Sequence, residues 1–187
     1  PEILVSESRT VPVPAATAYE LIADYHTGHS SILPPEYFGR LEVLAGGRGA
    51  GTRVRFEMKA FGKVNVAEAE VTEPVPGREL RETLSDGTVT TFLVEPLGAA
   101  ECRVTFTTRY DRPGLRGWVE RFVAPAYLRK VYVAELAQLE RVAGMLAGSG
   151  VFSRGCPPCP NASHTPRPLP NSMASARMRC AMAATTP

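Results

Sequence analysis

Leu80-Arg81-Glu82-Thr83-Leu84-Ser85-Asp86-Gly87-Thr88-Val89-Thr90-Thr91-Phe92-Leu93-Val94-Glu95 reads as two strands and the turn that joins them. Ser85-Asp86-Gly87 is a hairpin signal, because aspartate and glycine tolerate the left-handed backbone of a tight β-turn. Before that turn Leu80, Glu82 and Leu84 share one face, and Arg81 and Thr83 share the other. The period of two extends outward from residue 40 to residue 111. Leu41, Val43 and Ala45 begin a strand, and Gly46-Gly47 through Gly51 turn. Val54, Phe56 and Met58 then oppose Arg53, Arg55, Glu57 and Lys59, and Phe61-Gly62 turns. A strand over 64–71 ends at Pro74-Val75-Pro76-Gly77. Beyond the quoted hairpin, Pro96-Leu97-Gly98 turns into Cys102, Val104, Phe106, Thr108 and Tyr110. Turns every ~10–15 residues with no helix between them predict an antiparallel meander. The inner face of 64–71 is expected to be Ala67, Ala69 and Val71, shifted in phase from Val64 and Val66 by a bulge.

The flanks change period. Residues 3–13 alternate around Ile3, Val5, Val11 and Val13, which predicts a seventh strand. Pro14 and Thr17 open a helix whose stripe is Ala18, Leu21, Ile22 and Tyr25, stopped by Thr27-Gly28. Residues 27–39 are rich in breakers but hold Ile32, Leu33, Tyr37 and Phe38. They are expected to fold back over the core with a short helix at 35–38. From Leu115 to Leu146 apolar residues recur at 3.6 spacing, a helix of roughly 50 Å at 1.5 Å per residue. Pro125 is expected to kink or interrupt it near residues 122–124. A sheet wet on one side needs a cover on the other, and this helix is the element large enough. The fold class is therefore α+β, with residues 1–147 as one domain. Residues 148–187 follow neither period and read as a disordered Pro/Ala/Ser/Arg-rich tail.

Composition narrows the function. Residues 1–140 hold 16 basic and 19 acidic groups of the 187-residue chain, and no acidic residue follows Glu140. The domain has no basic stripe to neutralise phosphates, so no nucleic-acid partner is expected. No run approaches ~18 apolar residues, so no membrane span is expected, and the start lacks a secretory pattern; the expected location is cytoplasmic. Cys102 sits in a strand pattern as a core thiol. Cys156-Pro157-Pro158-Cys159 has redox or zinc spacing, but proline-rich sequence follows where a redox motif needs a helix. His164 and Cys180 are too irregularly spaced for a second zinc pair. Neither metal nor cofactor is expected, and no Ser-His-Asp order or phosphate loop is present.

Four segments resemble a known family. Val11-Pro12-Val13-Pro14-Ala15 running into Thr17-Ala18-Tyr19-Glu20-Leu21-Ile22-Ala23-Asp24-Tyr25 is similar to the start of the START-related SRPBCC superfamily, in its polyketide cyclase/dehydrase and lipid transport branch. Val71-Thr72-Glu73-Pro74-Val75-Pro76-Gly77-Arg78-Glu79-Leu80 and Phe92-Leu93-Val94-Glu95-Pro96-Leu97-Gly98 resemble it too, as does the last helix ending Leu136-Ala137-Gln138-Leu139-Glu140. The resemblance spans residues 3–146 and implies a helix-grip, Bet v 1-like fold: seven antiparallel strands curved around a long C-terminal helix. It implies ligand transport, sensing or catalysis without choosing among them. The segment after the first helix departs from the family's tryptophan- and proline-centred pattern, so its pocket-mouth chemistry is not carried over.

Small residues on a curved sheet are expected to leave an apolar cavity under the helix. Glu82 would place a carboxyl group there, where desolvation makes it an acid, a base or a partner for a ligand hydroxyl; alternatively it is a strand-end residue reaching solvent. His26 and His29 flank Gly28 near the expected mouth, and His26 is the second candidate for proton transfer. Tyr25, His29, Tyr37, Phe38, Phe56, Met58, Ala67, Ala69, Phe92, Phe106, Trp118, Phe122 and Tyr132 are the expected ligand contacts. Arg53, Arg55, Arg103 and Arg109 form a solvated outer face. Three functions remain open. The first is carriage of a small hydrophobic, lipid- or polyketide-like molecule. The second is an aromatase/cyclase- or dehydratase-like enzyme using Glu82 or His26. The third is a protein-interaction module without ligand. Long helices and an open sheet edge also permit a homodimer.

Overall fold

The computed structural model describes residues 2–111 and 114–148, with side chains for all of these except 114–123. The expected tail and its Cys156–Cys159 motif lie outside the described residues, as do the side chains of Trp118 and Phe122. The elements run β1 (Glu2–Val11), α1 (Ala15–Ala23), α2 (Gly28–Ile32), β2 (Phe38–Ala45), β3 (Arg53–Ala60), β4 (Lys63–Val75), β5 (Glu79–Leu84), β6 (Val89–Gly98), β7 (Glu101–Asp111) and α3 (Gly114–Gly148). One seven-stranded sheet has the order β1-β7-β6-β5-β4-β3-β2, antiparallel throughout. Strands β2 to β7 are a meander, and β1 returns to pair with β7.

Alternation decides which face each strand buries. Leu80, Phe92, Val94, Cys102, Val104 and Phe106 point inward and are almost wholly buried, while Arg53, Arg55, Arg103 and Arg109 are exposed. Val131, Leu136, Leu139 and Ala143 of α3 close the core. Each large apolar side chain removed from water contributes about 1.5–3 kcal/mol. The inner face of β1 turns polar in mid-strand, where Arg9 Nε meets Glu140 Oε2 at 2.6 Å and Glu7 Oε1 lies 3.6 Å from Arg129 Nε. These half-exposed pairs orient α3 along β1 more than they stabilise it.

Three expectations are corrected. The short helix lies at Gly28–Ile32, not 35–38. Asp24 braces the turn that leads into it, its carboxylate accepting the backbone N–H groups of His26, Thr27 and Gly28. Pro34 instead makes a turn, its carbonyl accepting the N–H groups of Tyr37 and Phe38 before β2. No bulge shifts the phase of β4 between 63 and 70: its register with β3 is continuous, so Val64 and Val66 face out at 59% and 64% exposure. Nor does Pro125 interrupt the long helix; α3 continues through it. One missing donor costs less than the burial gained by the turns that follow it.

The β2–β3 turn is stitched to the end of α1. Tyr25 N–H donates to the Gly47 carbonyl and Gly49 N–H to the Ala23 carbonyl. Gly47 has φ +121°, a backbone conformation that favours glycine, and its bare Cα leaves room for the exposed His26 imidazole.

Candidate functional site

The register places a polar group in an apolar neighbourhood. Glu82 of β5 sits opposite Thr90 of β6 and Val71 of β4, with Leu80 opposite Phe92 one pair away. Thr90 in turn faces Thr108, and Phe92 faces Phe106. Glu82 is 7% exposed, so the reading of a strand-end glutamate in solvent is excluded. Helix α3 lowers Tyr132 and Glu135 toward this patch, α2 supplies His29, and β2 and β3 supply Phe38, Leu41, Val54 and Phe56. Together with Leu33, Glu82, Thr90 and Phe92 they line a cavity of about 50 Å3. Half-buried Leu33 and Leu41 make its rim. An apolar cavity of ~150 Å3 holds benzene, so this space suits a head group rather than a whole lipid or polyketide.

Tyr25 donates its hydroxyl hydrogen to Glu82 Oε1 at 2.6 Å. Its ring stacks on the His29 imidazole, with centroids 4.4 Å apart, and His29 meets the edge of Phe92 at 5.6 Å. His29 Nδ1 lies 2.7 Å from the Ile22 carbonyl oxygen, which only accepts, so Nδ1 carries a hydrogen. That bond aims Nε2 at Glu82 Oε1, 3.7 Å away. On the other wall, Thr90 Oγ1 bonds Thr108 Oγ1 at 2.7 Å, and Thr108 Oγ1 bonds the Tyr132 hydroxyl.

Glu135 completes the site and is 3% exposed. Its carboxyl group has no hydrogen-bond partner among the described residues. Burial, reinforced by the charge of Glu82, pushes it well above the usual carboxylate range. Burial first, and Glu82 second, also raise Tyr25, and burial raises Tyr132. Two carboxyl groups thus face one cavity in different surroundings: Glu135 has no hydrogen-bond partner among the described residues, and Glu82 accepts a hydrogen bond from Tyr25.

Of the expected contacts, His29, Phe38, Phe56, Phe92 and Tyr132 line this cavity with Glu82. Tyr25 lies behind Glu82 and is fully buried, and Phe106 packs edge-on between Phe92 and Tyr132. Ala69 belongs to the core, Ala67 and Met58 pack against it, all three outside the lining, and Tyr37 packs on Tyr127. His26 is exposed in the loop against Gly47, away from the cavity. Glu135, Thr90, Leu33, Leu41 and Val54 were not anticipated. Glu135 had a signal: it lies between Val131, Tyr132, Leu136 and Leu139 on the buried stripe, where a carboxylate is out of place. Among the described residues no group of three or more His, Cys, Asp or Glu is arranged to hold a metal ion, and no helix is long and apolar enough to cross a membrane.

Residues 2–144 match the family model described as polyketide cyclase / dehydrase and lipid transport. No curated protein matches the chain by sequence. Among solved structures, the chain is similar to the KanY protein, with 24% identity, TM-score 0.66, and coverage of 77% of this chain and 99% of that one. The Zhui aromatase/cyclase from a Streptomyces species aligns with 21% identity and TM-score 0.64, covering 79% and 96%. A START superfamily protein from Mycobacterium smegmatis aligns with 18% identity and TM-score 0.61, covering 74% and 98%. At these identities the likeness is one of fold, the helix-grip arrangement of sheet and C-terminal helix.

Proposed function

The chain belongs to the polyketide cyclase / dehydrase and lipid transport family, and from that premise we propose that it binds a small, largely apolar molecule with its polar end in the cavity between β5, β6 and α3. The observation that carries this reading is the convergence of Glu82, Glu135, His29 and Tyr132 on one space walled by Phe38, Phe56 and Phe92. Buried polar groups cost stability unless paired, and the Glu135 carboxyl is left without a bond that a ligand can supply. Apolar contact gives ~25 cal/mol per Å2 before ordering costs, and the polar end fixes orientation. The apolar body passes the rim at Leu33 and Leu41. Native mass spectrometry of protein purified from its host should detect a copurified small molecule that Glu135→Leu loses. A wild-type protein with nothing bound, and no shift in melting temperature with any member of an apolar ligand panel, argues against the reading and favours the interaction module.

A second reading, a dehydratase- or cyclase-like enzyme, is favoured by the unlike surroundings of the two carboxyl groups, one hydrogen-bonded to Tyr25 and the other without a partner among the described residues. Unlike pairs of this kind divide base and acid roles between them. Glu82 would take a proton from a carbon beside a carbonyl, and Glu135 would protonate the departing or enolic oxygen. Under this reading Glu82→Gln abolishes turnover; under binding alone it changes affinity only.

A further inference from the structure

We propose that the polar end of the molecule bound in this cavity is a protonated amine. The inference rests on the cavity reading above and adds the chemical class of the ligand. The titratable side chains that face the space are Glu82 from β5, His29 from α2, and Tyr132 and Glu135 from α3, with Tyr25 behind Glu82. Tyr25 already donates to Glu82, and the Tyr132 hydroxyl is tied to Thr108. No lysine or arginine lines the cavity among the described residues. Among these residues His29, with Nε2 3.7 Å from Glu82 Oε1, is the one lining side chain able to carry positive charge, against two carboxyl groups. Glu135 is 3% exposed, reaches the cavity and has no hydrogen-bond partner among the described residues.

The three ligand classes differ in what they gain. An anion meets two carboxyl groups and no lysine or arginine, and would compete with Glu82 for His29. A neutral alcohol or ketone takes one hydrogen bond from the Glu135 carboxyl group. An ammonium group donates to both Glu82 and Glu135, and the ring faces of Phe38, Phe56 and Phe92 suit its alkyl stem and its charge. Its arrival also reverses the reason Glu135 holds a proton. A positive charge within hydrogen-bond reach favours the carboxylate, so the Glu135 proton passes to solvent as the amine binds. One ammonium enters and one proton leaves, which keeps the charge of the cavity constant.

The experiment is an NMR titration of the full chain with butylamine, butan-1-ol and butyrate at several pH values. Butylamine should bind about tenfold or more tighter than butan-1-ol near neutrality, as expected for a charge-assisted bond. Its affinity should rise about tenfold per pH unit while Glu135 is protonated, and that of butan-1-ol should not. Glu135→Gln, which keeps the shape of the protonated acid, should remove the pH slope and bring the amine's affinity down to that of butan-1-ol measured on the same variant. Equal affinity for amine and alcohol, tighter binding of butyrate, or an amine affinity without pH slope overturns the amine assignment and leaves the cavity reading standing. If none of the three probes shifts the resonances of cavity residues, the cavity reading falls and the amine assignment with it.

Discussion

Tyr25 and Glu82, 57 positions apart, share a buried hydrogen bond of 2.6 Å that ties the segment after α1 to the inner face of β5. The bond makes the burial of Glu82 affordable and, through ring stacking, sets the plane of His29. Tyr25→Phe removes the donor and leaves a buried carboxyl group short of a partner, at a cost of about 1–3 kcal/mol. Glu82→Gln should cost less, because its amide oxygen still accepts the same hydrogen. Urea unfolding of both variants and of the double mutant checks this. Costs that simply add would show that the pair is not coupled.

Gly28 packs α2 onto α1. A Cβ there would lie 2.6 Å from the Leu21 carbonyl oxygen, closer than any real contact. Gly28→Ala must push α2 outward and carry His29 with it, at a cost of about 1–3 kcal/mol. The fall in thermal stability should come with loss of ring-current shifts on the His29 imidazole. A variant as stable as the parent, with His29 resonances unmoved, would contradict this packing.

Glu135 imposes a pH dependence on stability. Its folded value is raised above the ordinary glutamate value, so its full contribution is present below that ordinary value. As pH rises the unfolded chain loses this proton first, and stability falls until the folded value is passed. Glu135→Gln has no such loss. The stability of the variant relative to the parent should therefore increase by about 1.4 kcal/mol per pH unit across that window. Urea midpoints for both proteins at about pH 5 and about pH 8 test it, and parallel pH profiles would disprove the buried acid.

Much of this architecture is legible in the sequence, because strands β2 to β7 each bury one face and must therefore alternate. Glu82 stands out between Leu80 and Leu84 for the same reason. Glu135 is harder to see. A buried helical stripe spans at least ~100° of arc, and a residue at its margin points in or out according to what packs there. The misplaced short helix has a local cause: Pro34-Pro35 imitates a helix start, while the carboxylate that braces the turn into the helix, Asp24, lies upstream of the segment. Val64 and Val66 have the composition of a buried strand, yet residues 61–66 are exposed on both faces. Only the reach of the cover over the sheet decides that, and no local pattern encodes it.

The Thr90–Thr108–Tyr132 chain makes one more prediction. Thr108 is the middle member, bonded to Thr90 at 2.7 Å and to the Tyr132 hydroxyl, and it is 3% exposed. Thr108→Val keeps the shape but strands two hydroxyl groups, so it should cost about 1–3 kcal/mol. Tyr132→Phe leaves the threonine pair intact and should cost only about 1 kcal/mol. Once Tyr132 is phenylalanine, Thr108→Val strands one hydroxyl group rather than two. The double mutant should therefore be more stable than the sum of the single losses, a coupling of about 0.5–3 kcal/mol. Denaturant unfolding of the four proteins measures it directly. Because Tyr132 also lines the cavity, Tyr132→Phe should weaken binding of a head group more than it weakens the fold, whereas Thr108→Val should do the reverse.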